Sequence, residues 1–251
     1  MSLFRKYFPG FASMIGFLTL WQLATSVGPL KGGSLPTALS AVASIFDLVK
    51  QPSIWVATGQ TLYIAVVGLA VSIALAIPAG VLIGLSPVAF RSTKLVLDFF
   101  KVIPPIVIVP IVILTFGPTS EMGIFLVVFA NFFMLVSQTA YGVRDSDPVL
   151  LDTLRCYGMG RWDQIRYARI PGALPFIAVG VRISVAASMI VAVVAGLIGG
   201  APSLGHQMML YQSSGQPGKT FGVVLIFGIL GLAFSRIYAL VQRKLVFWSQ
   251  A

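Results

Sequence analysis

The chain has 251 residues, of which 57% are hydrophobic and only 10% are charged. Soluble domains carry about 25% charged residues, so this composition excludes a soluble globular protein and indicates several membrane-spanning helices. The net charge of +10 comes from 17 Lys and Arg against 7 Asp and Glu. Basic loops that face anionic lipid explain this charge better than nucleic-acid binding, because aromatic residues do not alternate with the basic ones.

Two scarce residue types exclude further classes of site. Cys156 is the single cysteine and His206 the single histidine. One cysteine excludes an internal disulfide and a cysteine-based metal cluster. We therefore expect no metal site and no catalytic residue in this chain.

Six segments are long and apolar enough to cross a bilayer, which needs about 20 residues. A cleaved signal peptide is the alternative interpretation of the first, because Arg5 and Lys6 precede its apolar run. The predicted spans are Phe8 to Val27, Thr61 to Leu85, Leu95 to Phe116, Met122 to Val143, Leu174 to Ile198 and Phe221 to Val241.

The distribution of basic residues predicts the orientation of these spans. With the N-terminus inside, only Lys31, Lys50 and Lys219 lie outside, and every other Lys and Arg lies in a cytoplasmic segment or near one. This strong bias toward the inside predicts that both termini are cytoplasmic.

A short amphipathic helix is predicted between the first two spans. Leu39, Val42, Ile45, Phe46 and Val49 recur at helical spacing. Such a helix can lie on the outer membrane face, or it can be a linker packed on the bundle.

The third span contains Pro104, Pro105 and Pro110. Proline removes a backbone donor and bends helices, and broken helices in membranes often line cavities. We therefore predict that Pro104 and Pro105 lie in a kinked helix along a translocation pathway; a packing kink without substrate contact is the alternative. Asp98 and Lys101, one helical turn apart, are expected to pair.

A polar segment, residues 147–170 and called the knob below, interrupts the apolar runs. Asp147 and Pro148 are typical of a helix start, and Gly158 and Gly160 are typical of its end. A second short helix, RWDQIRYAR, is expected to stop at Ile170, because Pro171 disfavours a helical conformation in the residue before it. The alternative is a hydrated interfacial loop.

The knob resembles the EAA signature of permease subunits of ABC importers. Asp152, Thr153 and Leu154 occupy the triplet, Gly158 is the glycine that follows, and Ala168, Ile170 and Pro171 form the ending. Asp replaces Glu, larger residues replace both alanines, and Ala168 replaces a bulkier aliphatic residue.

The resemblance extends over nearly the whole chain. The stretches LPTALSAV, GQTLYIAVVGLAVSIALAIPAGVLIGLSP and KVIPPIVIVPIVILTFG precede the knob in the order seen in permeases of the nitrate/sulfonate/taurine importer group. One departure is Gly196, which stands where many relatives carry a glutamate, and we predict that it lies on the translocation pathway.

The resemblance implies an all-α fold with six transmembrane helices, that of a type I ABC importer permease with a cytoplasmic coupling helix. It implies an N-terminal helix and periplasmic segment (1–54), a permease core (55–251) and coupling helices at about 147–170. Contact with the ATPase would fall to Asp152, Leu154, Gly158, Arg161, Trp162, Ile165 and Pro171, with Trp162 a buried anchor of the interface.

The implied function is that of a non-enzymatic permease subunit in the bacterial inner membrane. Its partners would be ABC ATPase subunits that bind ATP and Mg, a second permease copy or paralogue, and a periplasmic or lipid-anchored substrate-binding protein. The cargo would be a small, anionic organic or inorganic solute. An ion-gradient-driven secondary transporter is the alternative, although paired acids near the midplane are missing. A scaffold protein would leave the knob unexplained.

The stretch SSGQPGKTFG imitates the end of a phosphate-binding loop at Gly218, Lys219 and Thr220. No strand precedes it, and a serine replaces the first glycine, which excludes nucleotide binding there.

Overall fold

The computed structural model describes residues 3–28 and 35–245, with side chains described for most of them. The described residues form helices and short connections. The helices are α1 (Leu3–Ser26), α2 (Ala38–Val49), α3 (Pro52–Leu85), α4 (Pro87–Val102), α5 (Pro105–Phe116), α6 (Ser120–Arg144), α7 (Pro148–Cys156), α8 (Arg161–Gln164), α9 (Ile170–Gly199), α10 (Leu204–Ser213) and α11 (Pro217–Leu245).

The centre of the bundle consists of α3, α6 and α9, which pack side by side. Glycines permit the close approach of α3 to α6. A Cβ on Gly80 would lie 2.5 Å from Thr139 Cβ, and one on Gly84 would lie 2.8 Å from Val143 Cβ. Small residues are the usual means of helix contact in membranes, where apolar surface alone gives no preference for protein over lipid.

Four or five of the predicted crossing helices are present among the residues with described side chains. Four helices with described side chains are long and apolar enough to cross a membrane: α3, α6, α11 and the continuous helix Arg161–Gly199. The pair α4 and α5 adds a fifth crossing if it is one broken span. Because some side chains of α1 fall outside the described residues, the count of six stays a prediction.

The predicted third span is not one continuous helix. Helix α4 ends at Val102, α5 begins at Pro105, and their axes differ by 87°. Ile103 and Pro104 both take extended backbone angles. A residue before proline is pushed away from the helical region, and two successive prolines extend this effect over both residues. The kink that we predicted is therefore a complete break.

The predicted amphipathic helix is α2, and Thr37 caps it by accepting a hydrogen bond from Ser40 N at 3.2 Å. Its small residues face the bundle: Ser40 and Ser44 lie against Gly218 and Gly222 of α11. Leu39 and Phe46 of the apolar face are instead exposed. This arrangement suits a helix with lipid on its other side. The division expected after residue 54 falls in the first turn of α3 and stays a proposal.

Candidate coupling site and pathway

The knob begins with the predicted helix start. Asp147 Oδ1 accepts a hydrogen bond from Val149 N at 2.8 Å, and Pro148 is the first residue of α7. The side chain thus satisfies one of the backbone donors that a helix start leaves free. The predicted cap is confirmed.

The end of α7 depends on Gly158, whose φ is +72°. Gly158 N donates to Arg155 O at 2.9 Å, and Met159 N donates to Leu154 O at 3.0 Å. This pair of bonds is the Schellman arrangement, which requires a left-handed residue and favours glycine. The predicted stop at Gly158 is therefore confirmed. A Cβ at Gly158 would have no neighbour within 4 Å, so the backbone angle alone demands glycine.

Helix α8 starts at Arg161, three residues after Gly158. Gly160 N donates to Asp163 Oδ2 at 3.1 Å, and Gln164 Nε2 donates to Met159 O at 3.3 Å. These bonds tie α8 to the turn that ends α7, and they fix the angle between the two short helices. The knob is consequently a structured helix–turn–helix and not a loose loop.

The predicted end of the second knob helix is wrong. Residues Ile165–Arg169 form a π-helical turn, and Ile170 has helical backbone angles and donates its N–H to Ile165 O. Pro171 lacks an N–H and would crowd the carbonyl four residues earlier. The wider π turn relieves this conflict without ending the helix. The second half of the knob and α9 thus form one continuous helix, Arg161–Gly199.

The side chains predicted to contact an ATPase fall into two groups. Trp162 is 81% exposed, whereas Leu154, Ile165 and Pro171 are half-buried. Asp152 and Arg161 are exposed, and Asp152 Oδ1 forms a 2.8 Å salt bridge with Arg155 Nη1 of its own helix. The three half-buried side chains are partly covered within the chain itself, whereas Trp162, Asp152 and Arg161 are available to a partner.

The knob carries other exposed apolar side chains besides Trp162. Val149, Tyr157 and Trp162 stand out from the knob surface, and Tyr157 is 80% exposed. Exposed contiguous apolar residues mark interaction sites more often than isolated ones do. Tryptophan and tyrosine are also the residues that most often dominate binding energy at interfaces.

Pro104 and Pro105 line a cavity of about 250 Å³ at the break between α4 and α5. Its wall also includes Phe129 and Ala130 of α6 and Ala187 of α9. A cavity at this position agrees with the prediction of a pathway-lining break, and substrate contact stays a prediction. Asp98 and Lys101 pair at 2.6 Å, as predicted.

Gly196 is buried where α9 meets the turn before α10. A Cβ on Gly196 would overlap Ser203 Oγ and would lie 2.8 Å from Ala201 O. The position has no room for a glutamate unless this turn moves. The glycine therefore permits close packing of α10 on α9, and its role in the pathway stays a prediction.

Two features of the membrane helices were not predicted. Asn131 of α6 donates 2.9 Å hydrogen bonds to Val127 O and to Ser188 Oγ of α9, in a fully buried position. An asparagine within an apolar run is a signal that could have revealed this bond. Arg236 of α11 shares a cavity with Arg182 of α9. Because the two residues are far apart in the chain, the sequence does not indicate that they lie close together.

Residues 72–247 match the family described as the binding-protein-dependent transport system inner membrane component. The chain belongs to this family. It is an ABC importer permease subunit, a multi-pass inner-membrane transport component whose ATPase is a separate subunit.

Individual relatives agree with this assignment. The permease is 27% identical over 235 residues to the putative aliphatic sulfonates transport permease protein SsuC of Bacillus subtilis, with 92% of this chain and 84% of that protein covered. It is 21% identical to the nitrate import permease protein NrtB of Leptolyngbya laminosa, with 96% and 88% covered.

Solved structures agree on the fold. A chain of the MetNI methionine ABC transporter, in an inward-facing form, superposes with a TM-score of 0.67 at 17% identity. The match covers 78% of the permease and 98% of that chain.

Proposed function

We propose that this permease imports a small anionic solute, and that the knob transmits ATP-driven movement of a partner ATPase to the membrane helices. The observation that carries the coupling role is the continuity of Arg161–Gly199: the exposed end of this helix bears Trp162, and its other end lies at the buried Gly196 and Gly199. Because α9 lies in the centre of the bundle, a displacement of the knob would therefore displace this central helix as well.

The packing of α9 explains how a displacement of the knob would reach the other membrane helices. Helix α9 contacts α3, α5, α6, α10 and α11. Ala168 and Ala173, at the base of α9, are almost completely buried, so the knob is held firmly at this point. Packed helices respond to such a displacement by moving between discrete arrangements, which is what alternating access requires.

The proposed assembly contains ABC ATPase subunits that bind ATP and Mg, a second permease copy or paralogue, and a substrate-binding protein outside the membrane. The knob and both termini would be cytoplasmic, as the basic residues predict. The anionic cargo is supported by the similarity to SsuC and NrtB, whose names specify aliphatic sulfonates and nitrate.

Cys156 tests the docking of the knob directly, because it is the only thiol of the chain and is exposed. A polar maleimide should label it rapidly in the purified permease. Addition of the ATPase should slow the reaction, because a specific interface excludes solvent at its centre. The matched control is Cys156→Ser combined with Ser214→Cys, which moves the thiol to the exposed turn before α11.

The control thiol should react at the same rate with and without the ATPase. Equal rates for Cys156 in a complex shown to be intact would remove Cys156 from the interface and refute docking along α7. For the transport mechanism, uptake of a radiolabelled alkyl sulfonate should require ATP and should survive an ionophore. Uptake driven by an ion gradient without ATP would instead support a secondary transporter.

A further inference from the structure

The cavity between α9 and α11 combines two positive charges with no negative one. Its volume is about 460 Å³, and its lining includes Arg182, Ser235, Arg236 and Tyr238. Neither α9 nor α11 contains an acidic residue. Among the described residues, neither arginine forms an ion pair: the two salt bridges there are Asp98–Lys101 and Asp152–Arg155.

Both arginines lie within membrane-spanning helices. At 1.5 Å per residue, Arg182 is about 18 Å along the axis from Ile170, and Arg236 is about 13 Å from Leu245. Because both line the same cavity, they lie at a similar level of the bundle, in the half nearest the knob. An arginine within a membrane-spanning helix is costly unless it meets water, a partner or an anion.

We propose that Arg182 and Arg236 form a binding site for a single tetrahedral oxyanion group, a phosphate or a sulfonate. Two guanidinium groups that face one cavity repel each other, and an anion between them removes this repulsion. The planar donors of arginine match the oxygens of such groups in a bidentate manner.

Of the two hydroxyl groups in the cavity wall, that of Ser235 can bind the same ligand, whereas that of Tyr238 is used within the fold. Tyr238 donates its O–H to Ala178 O at 2.7 Å, which holds the ring in place between α9 and α11. Ser235, one residue before Arg236, is exposed in the cavity wall and can donate its hydroxyl proton to an anion. The apolar remainder of the wall, which includes Val185 and Leu232, suits a ligand with a short hydrocarbon part.

The oxyanion has two possible sources: the headgroup of an anionic phospholipid, or a free solute anion. Binding of both probes is measured on the purified full-length permease in a neutral detergent. One arm uses short-chain phosphatidylglycerol, with phosphatidylcholine as its neutral counterpart, and native mass spectrometry. The other arm uses methanesulfonate, with methanesulfonamide as its neutral counterpart, and the shift in melting temperature.

We expect Arg182→Gln and Arg236→Gln each to weaken anion binding about tenfold, which corresponds to about 1.4 kcal/mol. Arg91→Gln is the matched control, because Arg91 is an exposed arginine of α4 that does not line the cavity. The double variant Arg182→Lys with Arg236→Lys should retain part of the affinity, since it keeps both charges. If Arg182→Gln does not insert, Arg236→Gln and the lysine variant provide the same readout.

Arginine-dependent binding of phosphatidylglycerol alone would identify a lipid headgroup site. Dependence for methanesulfonate alone would identify a solute site, and competition between the two probes would identify one site open to both. The proposal fails if Arg91→Gln weakens binding as much as the cavity variants, or if no anion binds in an arginine-dependent manner. Neither failure affects docking of the knob, which the Cys156 experiment measures separately.

Discussion

Replacement of Gly158 tests whether the shape of the knob is needed for coupling. Gly158 has φ +72°, and a Cβ there would meet no atom within 4 Å. The cost of Gly158→Ala therefore comes from the backbone angle alone, which is about 1–2 kcal/mol for an L-residue in the left-handed region. If the turn of the free variant leaves the left-handed angle and docking on the ATPase must restore it, this cost is subtracted from the binding free energy. Affinity for the ATPase should then fall about 5–30-fold.

Gly160→Ala is the matched control for this substitution. Gly160 lies in the same turn but has φ −72° and ψ 176°, which any residue adopts. Its added Cβ would lie 3.7 Å from Asp163 Oδ2, an ordinary contact. We expect unchanged affinity for Gly160→Ala, and an intermediate loss for Gly158→Asn, because asparagine tolerates left-handed geometry better than alanine.

The measurement is equilibrium binding of the ATPase to each permease variant in nanodiscs, followed by ATP-dependent uptake. Melting temperature is measured alongside: Gly160→Ala should leave it unchanged, and Gly158→Ala should lower it where the free permease keeps the left-handed turn. Wild-type affinity and uptake for Gly158→Ala would refute the requirement for the left-handed turn. Equal losses for both variants would show that the turn tolerates no added side chain, whatever its backbone angle.

Three further predictions concern packing and topology. Gly205→Ala should destabilise the permease by about 1–3 kcal/mol, because the new Cβ would overlap Val193 O. Gly59 is exposed in α3 and has free space around it, so Gly59→Ala should stabilise the permease by up to about 1 kcal/mol. Thermal unfolding in detergent compares the two variants, and equal stability would contradict the packing of α10 on α9. A double-mutant cycle of Asn131→Ala and Ser188→Ala should give a coupling energy of about 0.5–1.7 kcal/mol, and additive effects would mean that their hydrogen bond contributes nothing. A reporter inserted after Ser146 should be cytoplasmic and one after Ser214 external, and the reverse result would place the knob outside the cell.

The sequence determined what depends on local chemistry. Long apolar runs predict membrane helices because an isolated backbone cannot cross lipid without internal hydrogen bonds. The cap at Asp147 and the left-handed turn at Gly158 were predictable for a similar reason, since each requires only neighbouring residues. The resemblance of the knob to the EAA signature carried the family assignment.

The tertiary structure decided the features that depend on competition between distant segments. The rule that a helix ends before proline held at Ile103, but failed at Ile170, where the π turn keeps the helix continuous with α9. Burial of Ala168 and Ala173 favours continuity there, because a break would expose the base of α9. The shared cavity of Arg182 and Arg236 likewise required the packing of α9 against α11, since helices far apart in the chain acquire a common surface only when they fold together.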